Sequence, residues 1–264
     1  MGDGDYRMIK VEAPAEHVLL VTLNRPEVAN AFNTRMAEEL LDVWTGIAAA
    51  PETRCAVLTG AGDRAFCAGA DLKERNGMSP ADWHKQHDLF ERMAYALMDC
   101  PNPIIAAVNG AAYAGGFELV LGADFAYGAP SSRFALTEVT LGLIPGVGGT
   151  QNLPRAIGLR RAKELLLCGR PFSSEQALDW GVLNRICDRE TLLADALATA
   201  RQIAGNAPLA VRQAMAAMDE GIDQPLPQAR RTEIERYTPL IDTEDRREGI
   251  AAFNEKRKPD FKGR

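Results

Sequence analysis

Short apolar runs rich in Val, Leu, Ile and Ala alternate with helix-patterned stretches over roughly the first 190 residues, and no Pro/Ser-rich linker interrupts them. Strands separated by helices need crossover connections, so the chain is read as α/β. Residues 17–24 alternate until Arg25-Pro26 stops them, which reads as a strand ending in a loop. Phe32, Met36, Leu40, Val43, Trp44 and Ile47 then recur at helical spacing. Further strands are expected at residues 55–59, 103–108 and 182–186. A helix over residues 81–98 lies between the first two, with Ser79 as N-cap and Pro80 in its first turn. A capping box from Ser173 to Gln176 opens a short helix that Gly181 can close. We expect a core unit over residues 1–190 and a helical region over 191–264. In that second part Pro208, Pro225, Pro227 and Pro239 punctuate the pattern, and Met215, Met218, Ile222 and Leu226 need a partner to bury them.

Composition excludes several partners. A net charge of −6 offers no footprint for polyanions, so nucleic acid is not expected. No apolar run approaches the roughly 18 residues of a membrane span. The start, MGDGDYRMIK, lacks the apolar stretch of a secretory signal. No membrane partner and a cytoplasmic location are therefore expected. Cys55, Cys67, Cys100, Cys168 and Cys187 are dispersed, odd in number and form no C-x-x-C pair, and read as small buried thiols. His84 and His87 share a helix face without a third ligand of similar spacing, so that face is expected to be solvated and no metal site is expected.

Three glycine-rich stretches remain. Gly60-Ala61-Gly62-Asp63-Arg64-Ala65 mimics the dinucleotide fingerprint G-x-G-x-x-A, but the residues after it, through Gly69, do not carry the helical pattern the fingerprint requires. The second, residues 109–119, follows a buried strand and runs into a short apolar helix. Small residues at a helix start let a ligand oxygen approach free N–H groups, which is how an oxyanion hole is built; a tight turn with close helix packing would look the same. Glu118 lies three residues after Gly115, on the same helix face, among Phe117, Leu119, Val120 and Leu121. Desolvation should raise its pKa and suit it to donate a proton. Twenty positions later Glu138 precedes the third stretch, residues 142–150. Two carboxyl groups sharing one water can act as base and acid on its two ends.

The strings LNRPEVANAFN, FCAGADLKE, AAVNGAAYAGGFELVLGADF, FALTEVTLGLIPGVGGTQNLPR and AFNEKRKPDFKGR resemble the signature blocks of the crotonase (enoyl-CoA hydratase/isomerase) family, in its order and spacing, over roughly residues 17–264. The resemblance implies a spiral of β-β-α units with a helical C-terminal region that builds a homotrimer, often paired into a homohexamer. It implies an acyl-CoA substrate, with coenzyme A as part of that substrate and no separate cofactor. The positions matching the family's oxyanion hole are Ala70 and Gly115, and those matching the two glutamates of its hydratases are Glu118 and Glu138. Ala68, Asp71, Leu72 and Lys73 match the segment that runs along the coenzyme's adenine and phosphates, and Phe253 and Lys256 match coenzyme contacts often made from an adjoining subunit. Two positions depart from the pattern. Ala114 replaces the first of three glycines, a change expected to leave the oxyanion hole intact, and Asn152 replaces an arginine.

Hydration of a 2-enoyl-CoA is the reading this supports. Double-bond isomerisation, hydrolysis and C–C cleavage stay open within the family, and an NAD-binding oxidoreductase or an RNA-binding relative stays open as a remote reading. Met78, Trp83 and Phe117 are candidates either for the acyl pocket or for the core, and residues 75–89 are the stretch expected to vary with substrate.

Overall fold

The structure, a computed structural model, describes residues 6–264; the first five residues of the segment read for a secretory signal lie outside the described residues. β1 (Ile9–Ala15) and β2 (Val18–Leu23) pair antiparallel about a turn in which His17 has φ 64°. The apolar alternation of residues 17–24 marks β2. β1 escapes the same reading because Lys10, Glu12, Ala13 and Pro14 leave it mostly solvated, with few apolar residues to show a period. A 3₁₀ turn at Pro26–Val28 leads into α1 (Thr34–Ala49). Asn33 caps α1 by accepting the Met36 N–H at 2.9 Å, and the expected stripe from Met36 to Ile47 is buried.

The chain then winds through strand–strand–helix units. β3 (Cys55–Gly60) and β4 (Ala65–Cys67) precede α2 (Leu72–Arg75) and α3 (Pro80–Met98). β5 (Ile104–Val108) and β6 (Ala111–Tyr113) precede α4 (Gly115–Gly122). β7 (Phe125–Gly128) and β8 (Arg133–Ala135) precede α5 (Gly149–Ile157) and α6 (Leu159–Cys168). β9 (Phe172–Ser173), α7 (Ser174–Trp180) and β10 (Arg185–Ile186) complete the winding. The first strand of each unit enters a six-stranded sheet of order β1-β2-β3-β5-β7-β10, and the second enters a four-stranded sheet of order β4-β6-β8-β9. Apart from β1–β2 and β8–β9, the pairs are parallel. The strand expected over residues 182–186 shrinks to the two residues of β10, because Val182 and Leu183 turn back onto α7 through hydrogen bonds to the Ala177 carbonyl.

Both faces of the larger sheet are covered, which is why β3 and β5 are buried throughout. Leu58, Ile104, Ala106 and Val108 face a core shared with α1, α3 and α4. Val57, Ile105 and Tyr127 face Leu192, Ala196, Ala200 and Ala204 of α8 (Leu192–Ala204). Packing against the sheet thus runs one helix beyond the boundary expected near residue 190.

α9 (Pro208–Gly221), α10 (Leu226–Tyr237) and α11 (Glu244–Glu255) extend from α8 and pack largely on one another. Arg54 ties this region back by donating to the carbonyls of Ala204 and Phe261 at 3.1 and 2.8 Å, and Arg212 does so by donating to Asn102 at 2.9 Å. Met218, Ile222 and Leu226 are exposed on this chain, as is Phe253 at 84%. Of the cysteines, four are buried as expected, but Cys168 at the end of α6 is exposed.

The Gly60–Ala65 stretch turns between β3 and β4 and opens no helix. Asn30 donates to the carbonyls of Ala61 and Ala65, and Asn109 donates to those of Gly60 and Gly62. A dinucleotide loop needs a helix N-terminus facing the pyrophosphate, and β4 stands in its place.

Candidate active site

Two loops meet behind the site. Arg25 pairs with Asp71 at 2.9 Å, and Phe32 bridges to Ala70 through its N–H to the Gly69 carbonyl and its carbonyl from the Asp71 N–H, both 2.9 Å. In that parallel bridge the N–H and C=O of Ala70 itself point the other way. Gly115 is the first residue of α4, where N–H groups lack intrahelical acceptors. A methyl group on Gly115 would lie 2.6 Å from the Phe32 ring, and one on Gly116 would lie 2.2 Å from the Cys67 carbonyl oxygen, so α4 reaches this position only with glycines there. Ala70 and Gly115 line one cleft of about 540 Å³, within the usual size for a small-molecule site.

Glu118 and Glu138 line the same cleft. Glu118 is buried, and its Oε1 accepts the N–H groups of Val147 and Gly149 at 2.9 and 2.8 Å. Burial raises its pKa, while the N–H groups of Gly149, Val147 and Gly146 pull it back down. Glu138 opens the 3₁₀ turn Glu138–Leu141, and its Oε2 is buried with no hydrogen-bond partner. Burial pushes its pKa up to about 7, and the charge of Glu118 adds to the rise. Glu118 is thus the carboxyl whose ionised form is held by donors. Glu138 titrates near neutrality, where it can both hold and release a proton. The rise expected for Glu118 from burial is present, and Glu138, which was not singled out for it, shares it.

The other expected residues divide. Ala68 and Leu72 line the cleft, and Lys73 lines a shallower depression that shares Leu72, Arg75 and Trp83 with it. Asp71 does not reach the cleft. Its carboxylate caps α2 through the N–H groups of Lys73 and Glu74 and is held by Arg25. Burial works against its charge, but those donors keep its pKa below the ordinary value, so its part is to fix the loop carrying Ala70. Phe253 and Lys256 lie outside the cleft lining on this chain. Trp83 lines the cleft, Met78 does not, and Phe117 is core, packed on Phe134 and Phe172 with ring centroids 5.4 and 5.6 Å apart. Asn152 turns inward to the sulfur of Met98 at 3.4 Å.

Sequence reasoning did not find the donors that hold Glu118. A signal for them exists in the Gly148-Gly149 step, which starts α5 and leaves N–H groups free for an anion. It also missed that His84 and His87 border the cleft. His87 pairs with Glu91 at 3.2 Å. Among the described residues no cluster of three or more His, Cys, Asp or Glu side chains is arranged to hold a metal ion, and no helix is long and apolar enough to cross a membrane.

Known proteins resemble this chain in sequence and fold. The family profile described as enoyl-CoA hydratase/isomerase matches residues 14–264. The chain is 38% identical to (E)-benzylidenesuccinyl-CoA hydratase of Thauera aromatica, covering 94% of this chain and 97% of that one. It is 35% identical to crotonyl-CoA hydratase of Syntrophomonas wolfei, covering 93% and 95%. The crystal structure of an enoyl-CoA hydratase from Bacillus anthracis superposes with a TM-score of 0.95 at 42% identity, over 98% of this chain and 100% of that one. The chain belongs to the enoyl-CoA hydratase/isomerase, or crotonase, family.

Proposed function

We propose that this protein is an enoyl-CoA hydratase, adding water reversibly to a 2-enoyl-CoA thioester. The observation that supports it is the pairing of buried Glu118 with half-buried Glu138 on the cleft that Ala70 and Gly115 also line. The thioester oxygen accepts those two N–H groups, which stabilise the enolate formed as the β-carbon is attacked. Ionised Glu118 takes a proton from water as its oxygen bonds to the β-carbon. Protonated Glu138 supplies the proton that closes the enolate at the α-carbon, and proton transfer between the pair restores the starting state. The reaction is redox-neutral and takes coenzyme A only as part of the substrate. Lys73 is assigned to the coenzyme phosphates, and Phe253 and Lys256 to the coenzyme of a neighbouring subunit in a trimer.

Replacing Glu118 or Glu138 by Gln keeps size and removes proton transfer, so each change should lower hydration kcat by about 10²–10⁴-fold. The double variant should lose much less than the product of the two, because both act in one transition state. Loss of the conjugated thioester absorbance of crotonyl-CoA tracks the reaction. Near-normal turnover of the best substrate by Glu138→Gln beside loss in Glu118→Gln would replace the two-glutamate hydration with a one-acid isomerase or another reaction of the family.

A further inference from the structure

Arg75 is the cationic side chain on the cleft wall that has no anionic partner. It ends α2 and lines the cleft together with Trp83 and Phe90 of α3. Its guanidinium lies 4.2 Å from the Trp83 ring centroid and 5.0 Å from that of Phe90. Among the described residues its hydrogen bonding is confined to Nε, which donates to Gln86 Oε1 at 2.8 Å, and Nη2 is buried without a partner. No carboxylate of the described residues lies within ion-pair distance of it.

The group is held in place rather than free to swing into water. Gln86 is buried, and its own amide donates to Thr34 Oγ1 and Glu74 Oε2 at 2.8 Å each, which fixes the oxygen that receives Nε. Glu74 is in turn engaged by the Thr34 N–H at 2.9 Å. An arginine oriented by aromatic faces and one neutral acceptor, with its terminal nitrogens unspent, has the form of a preorganised carboxylate receptor. Burial holds the guanidinium's proton affinity below the ordinary arginine value, the mark of a charge that lacks compensation, although Glu74 opposes the drop. His84 and His87, on the same wall, add ring nitrogens able to donate.

We infer that the cleft accepts acyl chains ending in a carboxylate, which Arg75 receives through its terminal nitrogens. This inference rests on the hydratase reading for the reaction but names the substrate class, a 2-enedioyl-CoA thioester in place of a simple alkyl one. A charge-assisted hydrogen bond contributes about 1.5–3 kcal/mol, so the carboxylate is worth roughly 10–150-fold in kcat/KM.

The test compares carboxylate-ended 2-enoyl-CoA thioesters of four, five and six acyl carbons with methyl-ended thioesters of equal length. The wild-type protein should prefer the carboxylate at one or more of these lengths by at least tenfold. In Arg75→Met that preference ratio should collapse toward one, and in Arg75→Lys it should be kept in part. Calorimetric binding of the saturated pair glutaryl-CoA and pentanoyl-CoA to the wild-type protein gives a readout that needs neither turnover nor a variant. If no thioester is hydrated but glutaryl-CoA still binds more tightly, the hydratase reading falls and the carboxylate site stands. Tighter or equal binding of pentanoyl-CoA, with no carboxylate preference in turnover, overturns the inference. So does an equal loss in Arg75→Met on every CoA ester, which would put the guanidinium on the coenzyme.

Discussion

The Gly149 N–H donates to Oε1 of Glu118 at 2.8 Å, and a methyl group on Gly149 would sit 2.9 Å from that same oxygen and 3.0 Å from the Glu118 Cγ. The donor that orients the carboxylate and the absence of a side chain there are one requirement. Gly149→Ala should therefore displace Glu118 with little change to the fold. Misplacement of a reacting group by about 1 Å can lower rates 10²-fold. We expect kcat for hydration to fall by about 10–100-fold in Gly149→Ala while KM changes little. Unchanged kcat in steady-state kinetics would show that Glu118 can act from another position.

Glu138 makes stability depend on pH. Its pKa moves from 4.5 in the unfolded chain to about 7 in the fold, chiefly through burial. Between those values the folded protein holds a proton that the unfolded chain has released, so stability falls as pH rises through that window and the loss is complete above about 7. At about 1.36 kcal/mol per pH unit the loss is about 3.4 kcal/mol at most, and partial solvent exposure reduces the expectation to about 1–2 kcal/mol. Glu138→Gln should thus turn over far more slowly yet be more stable than the parent by about 1–2 kcal/mol at pH 8, with the gain vanishing below pH 4.5. Urea unfolding at the two pH values measures both.

Ala114, the residue before α4, has φ 49° and ψ −130°, a backbone region in which a Cβ is disfavoured. Alanine in place of glycine here is a small change in size but not in backbone energy. Strain of this kind costs about 1–3 kcal/mol, offset in part by the greater chain entropy of glycine. Ala114→Gly should raise stability by about 1 kcal/mol, or a Tm rise of roughly 2–4 °C. Calorimetry showing a lower Tm would mean that neighbouring contacts of the Ala114 methyl outweigh the strain.

The C-terminal helices present Met218, Ile222 and Leu226 to solvent on a single chain, with Ile222 at 75% exposure. Apolar residues gathered on one region are consistent with a subunit interface. Sedimentation should report a trimer or hexamer for the parent protein, and Ile222→Glu should shift the distribution toward monomer at micromolar concentration. A parent protein that sediments as a monomer would also remove Phe253 and Lys256 from a shared site.

What could be read from the residues depends on the range of the forces involved. The Gly115–Glu118 pair was legible because a helical spacing of three residues fixes both on one face, whatever the rest of the chain does. The long helices were legible for the same reason. The strands β4, β6 and β8 are three residues each, too short to show a period. The roles of the two glutamates depend on donors about thirty residues away in sequence, and only the tertiary turn before α5 brings those donors to Glu118. Asp71 stood out as part of a motif, but its task as a clamp needed the position of Arg25, on a separate loop. Phe117 could not be assigned to pocket or core until Phe134 and Phe172 were seen to surround it.

The units of the spiral share a strand pair but differ in the length of the helix that leads away from it: α3 has nineteen residues where α4 has eight. Arg75, Trp83, His84, His87 and Phe90 all lie on the longer connection, while Gly115 and Glu118 lie on the shorter one and Glu138 comes after the next strand pair. The proposed acyl selectivity and the glutamate pair thus lie on different turns of the same winding, with Ala70 just ahead of the first. A descendant of this protein could exchange residues 72–90 as a cassette, and acquire a new acyl preference, while inheriting its chemistry unaltered.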